Sequence, residues 1–197
     1  MTIRADTWRS FPWVERGLTA IGVACLAWVC MNGLHVTRYQ RERRAILERV
    51  RAGVWPAGGA RATMATGGLI GSLDIPRLGL SAMVVEGDDG STLNVAVGHL
   101  PDTPLPWEDG NTSLAGHRDT FFRSLEDIRV GDVVHLTTAY GTFRYSVRQM
   151  MIVGPGDVWV LSAQRRPTLT LITCHPFNYM GRAPRRFVVR AERATLS

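Results

Sequence analysis

The sequence predicts an all-β domain, folded as a closed or nearly closed barrel, that follows a long apolar helix. From residue 69 onward, short apolar runs are bounded by Gly and Pro, and turn signals recur roughly every 8–15 residues. No long segment alternates strands with helices, which disfavours a parallel doubly wound sheet. About 130 residues of short strands must also hide their edges, and closure into a barrel achieves this.

The strands are predicted from apolar alternation between turn residues. Four segments are predicted to be single strands, and one is predicted to be a hairpin that turns at residues 139–141. The single strands are "LIGSLDIP", "LSAMVVEG", "TLTLITC" and "RRFVVRAE", and the hairpin is "DVVHLTTAYGTFRYSVRQMMIV". One short helix is expected around "FFRSLEDI".

Near the N-terminus, residues 17–34 contain no charged side chain. Eighteen helical residues span about 27 Å, close to the thickness of a bilayer's hydrocarbon core. Trp13 and Tyr39 flank the run and suit the headgroup region. We predict a retained single-pass anchor over residues 17–37, after a short tail at 1–16. The alternatives are a buried helix and a cleaved signal peptide, whose apolar core is usually shorter and precedes a small-x-small site.

The charge of the chain is concentrated beside this apolar run. Residues 1–61 contain ten arginines and four acidic residues, which accounts for the whole formal charge of +6. More of these arginines follow the run than precede it, so the positive-inside rule alone would place the following domain in the cytoplasm. A helical stalk and a Gly/Ala-rich linker are predicted over 38–68, and the folded domain over 69–197. The basic excess therefore belongs to the N-terminal segment and says little about what the folded domain binds. We expect no nucleic-acid partner.

Cysteine usage singles out one thiol. Cys25 and Cys30 lie in the apolar run, where a thiol behaves as a small hydrophobic group. Cys174 ends a predicted strand and has no partner in its domain for a disulfide. Outside the cytoplasm an unpaired thiol suggests reactivity, whereas a buried inert cysteine is the alternative.

A nucleophilic cysteine needs a base and a group that stabilises negative charge. His35 borders the apolar run, His135 lies in mid-strand, and His175 points to the opposite strand face from its neighbour Cys174. The remaining candidates are His99 and His117. His117 follows Ala-Gly at a strand end, where scaffolds present catalytic groups, so position favours it over His99.

Four arginines follow the cysteine and are candidates for the cationic component: Arg182, Arg185, Arg186 and Arg190. If the last strand pairs antiparallel with the cysteine strand, an arginine at its start lies near the thiol. A guanidinium there stabilises a thiolate and binds an oxyanion or a substrate carbonyl. Spacing alone does not choose among the four.

The segments "SLAGHRDTFF", "TLTLITCHPF" and "APRRFVVRAE", with "IPRLGL" and "AVGH" upstream, resemble the sortases, most closely class D, over residues 69–193. The resemblance implies an eight-stranded sortase β-barrel. It also implies a cysteine transpeptidase, anchored in the cytoplasmic membrane with its barrel outside. Its partners would be the lipid bilayer, secreted proteins with C-terminal LPxTG-like sorting signals, and an amine acceptor.

The same resemblance implies roles for individual residues. His117, Cys174 and Arg186 match the catalytic positions. His99, Thr173 and Arg185 are expected either to bind substrate or to support the catalytic set. No cofactor is expected, and no metal, because we find no acidic cluster that matches the calcium site of some class A sortases. One departure is His175, which stands where the class has a tyrosine and puts finer substrate preference in doubt.

Two further interpretations are retained. His99, His117, Cys174 and His175 could form a zinc site, although no C-x-x-C or H-x-x-x-H pair is present. A catalytically inactive, membrane-tethered peptide-binding barrel is the other alternative. This alternative does not account for the set of cysteine, histidine and arginine, because peptide binding alone needs no nucleophile.

Overall fold

The structure, a computed structural model, describes residues 12–53 and 65–194, and its main feature is a closed eight-stranded barrel. The strands are β1 Leu69–Ile75, β2 Leu80–Glu86, β3 Val97–His99, β4 Asn111–Ala115, β5 Val133–Thr138, β6 Gly141–Val153, β7 Thr168–His175 and β8 Arg185–Arg193. The helices are α1 Pro12–Arg51 and α2 Gly90–Val95, with 3₁₀ helices at Pro76–Leu78, Arg123–Asp127 and Val158–Leu161. The predicted all-β barrel is confirmed.

The strand order around the barrel is β1-β2-β3-β4-β7-β8-β6-β5, and β5 closes the ring by pairing with β1. Closure gives every strand two hydrogen-bonded neighbours, so no edge is left for another chain to pair with. Two of the pairings, β2 with β3 and β4 with β7, are parallel, and the others are antiparallel. Because β4 and β7 are parallel, their C-terminal ends meet at the same end of the barrel.

Alternating apolar residues fill the interior of the barrel. Along β5, every second residue is buried, as the hydrophobic alternation predicts. Several interior side chains are fully buried: Leu73, Val84, Leu136, Leu171 and Val189. The predicted hairpin is present, because β5 ends at Thr138 and β6 begins at Gly141. The short helix expected near residue 125 is a five-residue 3₁₀ helix.

The C-terminal part of α1 belongs to the same compact unit as the barrel, which comprises residues 39–197. The side chain of Gln40 donates to the Val95 carbonyl at 2.6 Å and accepts from the Met83 amide at 2.8 Å. Leu47 is buried against Leu69 and Met83. The segment predicted as a stalk is therefore helical up to residue 51 and packs on the barrel wall.

The N-terminal part of α1 falls in a separate unit of residues 1–38. By length and composition alone, α1 qualifies as a candidate membrane span, and none of its apolar window is buried within the protein. Large apolar side chains such as Leu18, Leu26 and Trp28 are about two-thirds exposed. The proposed tail lies mostly, and the linker partly, outside the described residues, so the proposed domain boundaries stay a prediction.

Candidate active site

The end of β7 places a thiol directly opposite an arginine. Cys174 pairs with Arg186 on β8, and His175 pairs with Arg185. Directly opposed residues of antiparallel strands project their side chains on the same sheet face. Arg186 therefore shares a face with Cys174, whereas Arg185 shares the opposite face with His175. The strand register thus shows which of the two arginines faces the thiol, a choice that sequence spacing alone left open.

The parallel pairing of β4 with β7 brings His117 to the same place. Ala115 pairs with Ile172, so the chain after β4 continues beside Cys174. The Gly116 amide donates to the Ile172 carbonyl at 3.2 Å. In return, the buried hydroxyl of Thr173 donates to the Gly116 carbonyl at 2.7 Å. Thr173 thus supports the turn that presents the histidine.

Gly116 is needed because the chain here touches an aromatic ring. A Cβ at this position would lie 2.8 Å from the ring of Phe122, which is fully buried. The Phe122 amide also donates to the His117 carbonyl at 3.0 Å. The turn after β4 is consequently closed against the core, and its position leaves no room for a side chain at residue 116.

His117, Cys174 and Arg186 line two cavities that share these three residues. The first, which we call the aliphatic cavity, has a volume of about 400 Å³. Its walls are mostly apolar and include Leu93, Leu100, Val153, Val158, Val160, Leu161, Ile172 and Val188. The second, which we call the arginine cavity, has a volume of about 490 Å³ and is also lined by Arg118, Asp119 and Arg182.

The three candidate catalytic groups are available for bonding. Cys174 is a free, half-buried thiol. The His117 ring has no hydrogen bond to any residue in the described part of the chain. Arg186 donates from Nη1 to the carbonyls of Ala183 and Arg185, at 3.3 and 3.0 Å. These carbonyls orient the guanidinium and leave its charge without a carboxylate partner within residues 65–194.

His99 lies elsewhere, at the end of β3, and lines neither cavity. It is 1% exposed, and its Nδ1 is 2.8 Å from Oε2 of Glu86. Its Nε2 is 3.2 Å from both the Pro104 carbonyl and the Thr103 hydroxyl. The structure therefore does not bring His99 to Cys174. The residue instead ties the ends of β2 and β3 to the loop that leads to β4.

His175 packs among aromatic rings on the opposite strand face from the thiol. Its ring centroid is 6.0 Å from that of Phe177 and 6.3 Å from that of Phe187. The remaining candidate, Arg190, donates to the Val160 carbonyl and lies over the Trp159 ring, further along β8. Among the described residues, no three His, Cys, Asp or Glu side chains are placed to hold a metal ion.

The residues with displaced pKa values line neither cavity, and their shifts reflect structural contacts. The hydrogen bonds that Asp89 accepts from Ser91 and Thr92 at the start of α2 hold the pKa of its carboxyl well below the usual range. A hydrogen bond from Arg77 lowers the pKa of Asp132. Burial raises the pKa of Tyr145 in the barrel core.

Two arginines that sequence reasoning missed hold the β7–β8 loop. Arg118 donates from Nη2 to the carbonyls of Tyr179 and Gly181, at 2.6 and 3.0 Å. Arg123 donates to the Phe177 carbonyl and the Asn178 side chain. Such contacts depend on how two loops that are distant in the chain pack together, so no local sequence pattern predicts them. The position of Arg118 directly after His117 was the one available signal.

Comparisons with known proteins agree on one family. The model of the Sortase domain matches residues 73–194. Sortase D of Bacillus subtilis (strain 168) is 38% identical over 131 residues, which cover 66% of each protein, just under two thirds. Among solved structures, the Clostridium perfringens Sortase D5 transpeptidase aligns with a TM-score of 0.67 at 25% identity, over 81% of this chain and 98% of that one. A lid mutant of Corynebacterium diphtheriae sortase A aligns with a TM-score of 0.64 at 28% identity, over 80% and 96% of the two chains.

Proposed function

Because the chain belongs to the sortase family, we propose that it is a cysteine transpeptidase that cleaves a peptide sorting signal and transfers the acyl part to an amine. The observation that supports this proposal is the shared lining of two cavities by Cys174, His117 and Arg186. A nucleophile, a proton carrier and an oxyanion ligand around one space are the components that acyl transfer needs.

In the first half-reaction, the thiolate of Cys174, beside a protonated His117, attacks the scissile carbonyl carbon. A C–S bond forms, the peptide C–N bond breaks, and His117 gives its proton to the leaving amine. Arg186 donates hydrogen bonds to the tetrahedral oxyanion, which is where charge develops. The product is a thioacyl enzyme, and one hard exchange is thereby divided into two easier steps.

In the second half-reaction, an acceptor amine attacks the thioester carbon. A C–N bond forms, the C–S bond breaks, and the sulfur leaves as a thiolate. His117 takes the proton that the amine loses, which returns the enzyme to its starting state. Water in place of the amine would give simple hydrolysis.

The donor substrate is proposed to be an extended, LPxTG-like peptide near the C-terminus of a secreted protein. The aliphatic cavity supports this choice, since its walls present Leu, Ile and Val side chains beside the thiol. Leucine and proline in a peptide bury apolar surface against such walls, at about 25 cal/mol for each Å² removed from water. The acceptor would approach the thioester from the arginine cavity.

We also propose that the apolar part of α1 anchors the enzyme in the cytoplasmic membrane as a single span, with the barrel outside. The length and composition of α1 support a span, and long translocated domains override the charge of short loops. Protease added to spheroplasts should digest the barrel. Protection of the barrel until the membrane is lysed would overturn this orientation.

The function is tested by trapping the acyl enzyme. Incubation of the full-length protein with LPxTG-containing peptides should add the mass of the acyl fragment to Cys174, as detected by mass spectrometry. Cys174→Ala should abolish both the adduct and peptide cleavage. The matched control is a Cys25→Ala, Cys30→Ala double variant, which keeps Cys174 as the one thiol and should acylate normally. Cleavage by Cys174→Ala would disprove the mechanism.

A further inference from the structure

The arginine cavity contains more positive charge than acyl transfer requires. It is lined by the guanidinium groups of Arg118, Arg182 and Arg186 and by one carboxylate, Asp119. We propose that this cavity binds a carboxylate carried by the acceptor, so that the enzyme prefers amines that bear a carboxylate close to the nucleophilic nitrogen. The inference rests on the proposed transpeptidase function and names the chemical class of its second substrate.

The arginines of this cavity lack a counter-charge among the described residues. None of the three guanidinium groups forms an ion pair with a carboxylate in the described part of the chain, and Asp119 forms none either. Even if Asp119 offset one charge, two cations would still face the cavity. Guanidinium groups bind carboxylates through paired, charge-assisted hydrogen bonds, so a carboxylate ligand would lower the repulsion among them.

Arg118 also has a buried donor without an acceptor among the described residues. Nη2 of Arg118 is used by the carbonyls of Tyr179 and Gly181. Its other terminal nitrogen, Nη1, is buried and has no hydrogen-bond partner among the residues the structure describes. A buried charged donor normally has an acceptor, and its absence in a native structure calls for an explanation. A ligand oxygen would supply that acceptor after a small rotation of the guanidinium toward the cavity, since Nη1 is closed to solvent as it stands.

The two cavities differ in the kind of substrate that their walls suit. The aliphatic cavity has predominantly apolar walls that suit the donor peptide, whereas polar and charged groups form a larger share of the walls of the arginine cavity. Both cavities include Cys174, so a molecule in the arginine cavity can reach the thioester. Asp119 stands among the arginines and would suit the ammonium form of an amine that also carries a carboxylate. The charges therefore match a zwitterionic acceptor.

The experiment compares two acceptors that differ in one terminal group, diglycine and diglycinamide. Transpeptidation kcat/KM is measured for each with the full-length protein and the same donor peptide. We expect the ratio for diglycine over diglycinamide to fall about threefold to tenfold in Arg182→Gln, the range typical of a charge-assisted contact at a partly exposed site. The ratio cancels effects on acylation, because both acceptors meet the same thioester.

Arg165→Gln is the matched control, since Arg165 is exposed and lines neither cavity. It should leave the ratio unchanged. Arg118→Gln should lower the ratio as Arg182→Gln does. If all variants keep the wild-type ratio, or if Arg165→Gln lowers it equally, the proposal is overturned.

Binding to Cys174→Ala separates this inference from the proposed function. Ligand-observed NMR should show that this inactive protein binds diglycine more tightly than diglycinamide, and that adding Arg182→Gln removes the difference. If Cys174→Ala shows this preference but the wild-type protein forms no thioacyl adduct, the transpeptidase proposal is refuted and the anion site is supported. Equal binding of the two ligands would refute the anion site, even if the wild-type enzyme is an active transpeptidase.

Discussion

The ends of β3 and β4 each present a histidine to a following loop, yet the two side chains have opposite surroundings. His99 is 1% exposed, and both of its ring nitrogens are within hydrogen-bond distance of acceptors. His117 is half-buried, lines both cavities and has no side-chain hydrogen bond among the described residues. One histidine is held within the fold by its hydrogen bonds, and the other faces the cavities with its ring unbonded.

The surroundings of the two histidines differ because the neighbouring strands run in different directions. β3 is antiparallel to β4, and His99 pairs with Leu114, so the chain after β3 runs away from the β4 end. β4 is parallel to β7, so the chain after β4 runs beside the cysteine. The histidines after β3 and β4 are therefore similar in local sequence but reach different places, because one strand pairs antiparallel and the other parallel with its neighbour.

The strongest test of this comparison is His117→Ala. Loss of a general acid and base should lower kcat/KM for peptide cleavage by about 10²- to 10⁴-fold. The unfolding temperature should stay close to that of the wild type, because no hydrogen bond to a described residue is lost. Steady-state kinetics and thermal unfolding measure the two effects. Activity within a few-fold of the wild type would exclude the proposed role of His117.

His99→Ala should give the reverse pattern. Removal of one partner from the buried contact with Glu86 should destabilise the barrel by about 3–5 kcal/mol. Peptide cleavage, measured well below the unfolding temperature, should fall far less than in His117→Ala. Urea unfolding measures the first effect. The conservative control Glu86→Gln keeps a hydrogen-bonding side chain and should lower the free energy of unfolding by less. An equal loss of activity in His99→Ala and His117→Ala would contradict the different roles assigned to the two histidines.

Gly116→Ala tests whether the backbone of the turn after β4 sets the position of His117. The added Cβ would press on Phe122, and overpacking of this kind costs about 1–3 kcal/mol. The shifted turn should also displace His117 and lower kcat. Gly90→Ala is the matched control, since a Cβ there meets nothing within 4 Å. Unfolding and kinetics are measured together, and a Gly116→Ala enzyme with wild-type kcat would show that the turn tolerates movement.

The smallest effect is expected at Asp132, which joins Arg77 and lines neither cavity. Because the pKa of Asp132 is lowered in the folded protein, its ionised form stabilises the fold at pH values above the unfolded-state pKa of about 3.9. That contribution is lost as the pH falls through the folded-state pKa. Asp132→Asn should lower the unfolding temperature by several degrees at pH 7, and the difference from the wild type should vanish in acid.

This variant also provides a stability control for the histidine comparison. Asp132→Asn should leave peptide cleavage at 25 °C unchanged, because the residue is remote from both cavities. Thermal unfolding at several pH values measures the first effect and kinetics the second. A difference from the wild type that grew as the pH fell would contradict the lowered pKa.

Much of the barrel was predictable because strand alternation is a local property. The four single-strand segments and the hairpin at residues 139–141 were recognised from apolar periodicity and turn residues, and the structure confirms them. Short β3 and β4 were harder, since three to five residues give little periodicity. The packing of residues 39–51 on the barrel was also missed, because the pattern shows a helix but not the surface that the helix covers.

The candidate site was only partly accessible from local patterns. Spacing left two histidines and four arginines open, and family resemblance selected His117 and Arg186. The register of β7 with β8 gives an independent physical ground for Arg186 over Arg185, because opposed residues share a face. The charge of the arginine cavity had no local signature, since its arginines come from two separate loops and β8.

Three features of this protein follow from its amino-acid sequence without knowledge of the fold: an apolar run long enough to span a membrane, alternating strands that must close on themselves, and one thiol outside that run. These properties depend on composition and on periods of a few residues. Tertiary structure alone decided which imidazole and guanidinium share a space with the thiol, and that two further arginines join them. Those choices depend on the direction and register of strand pairing, which residues distant in the chain settle together.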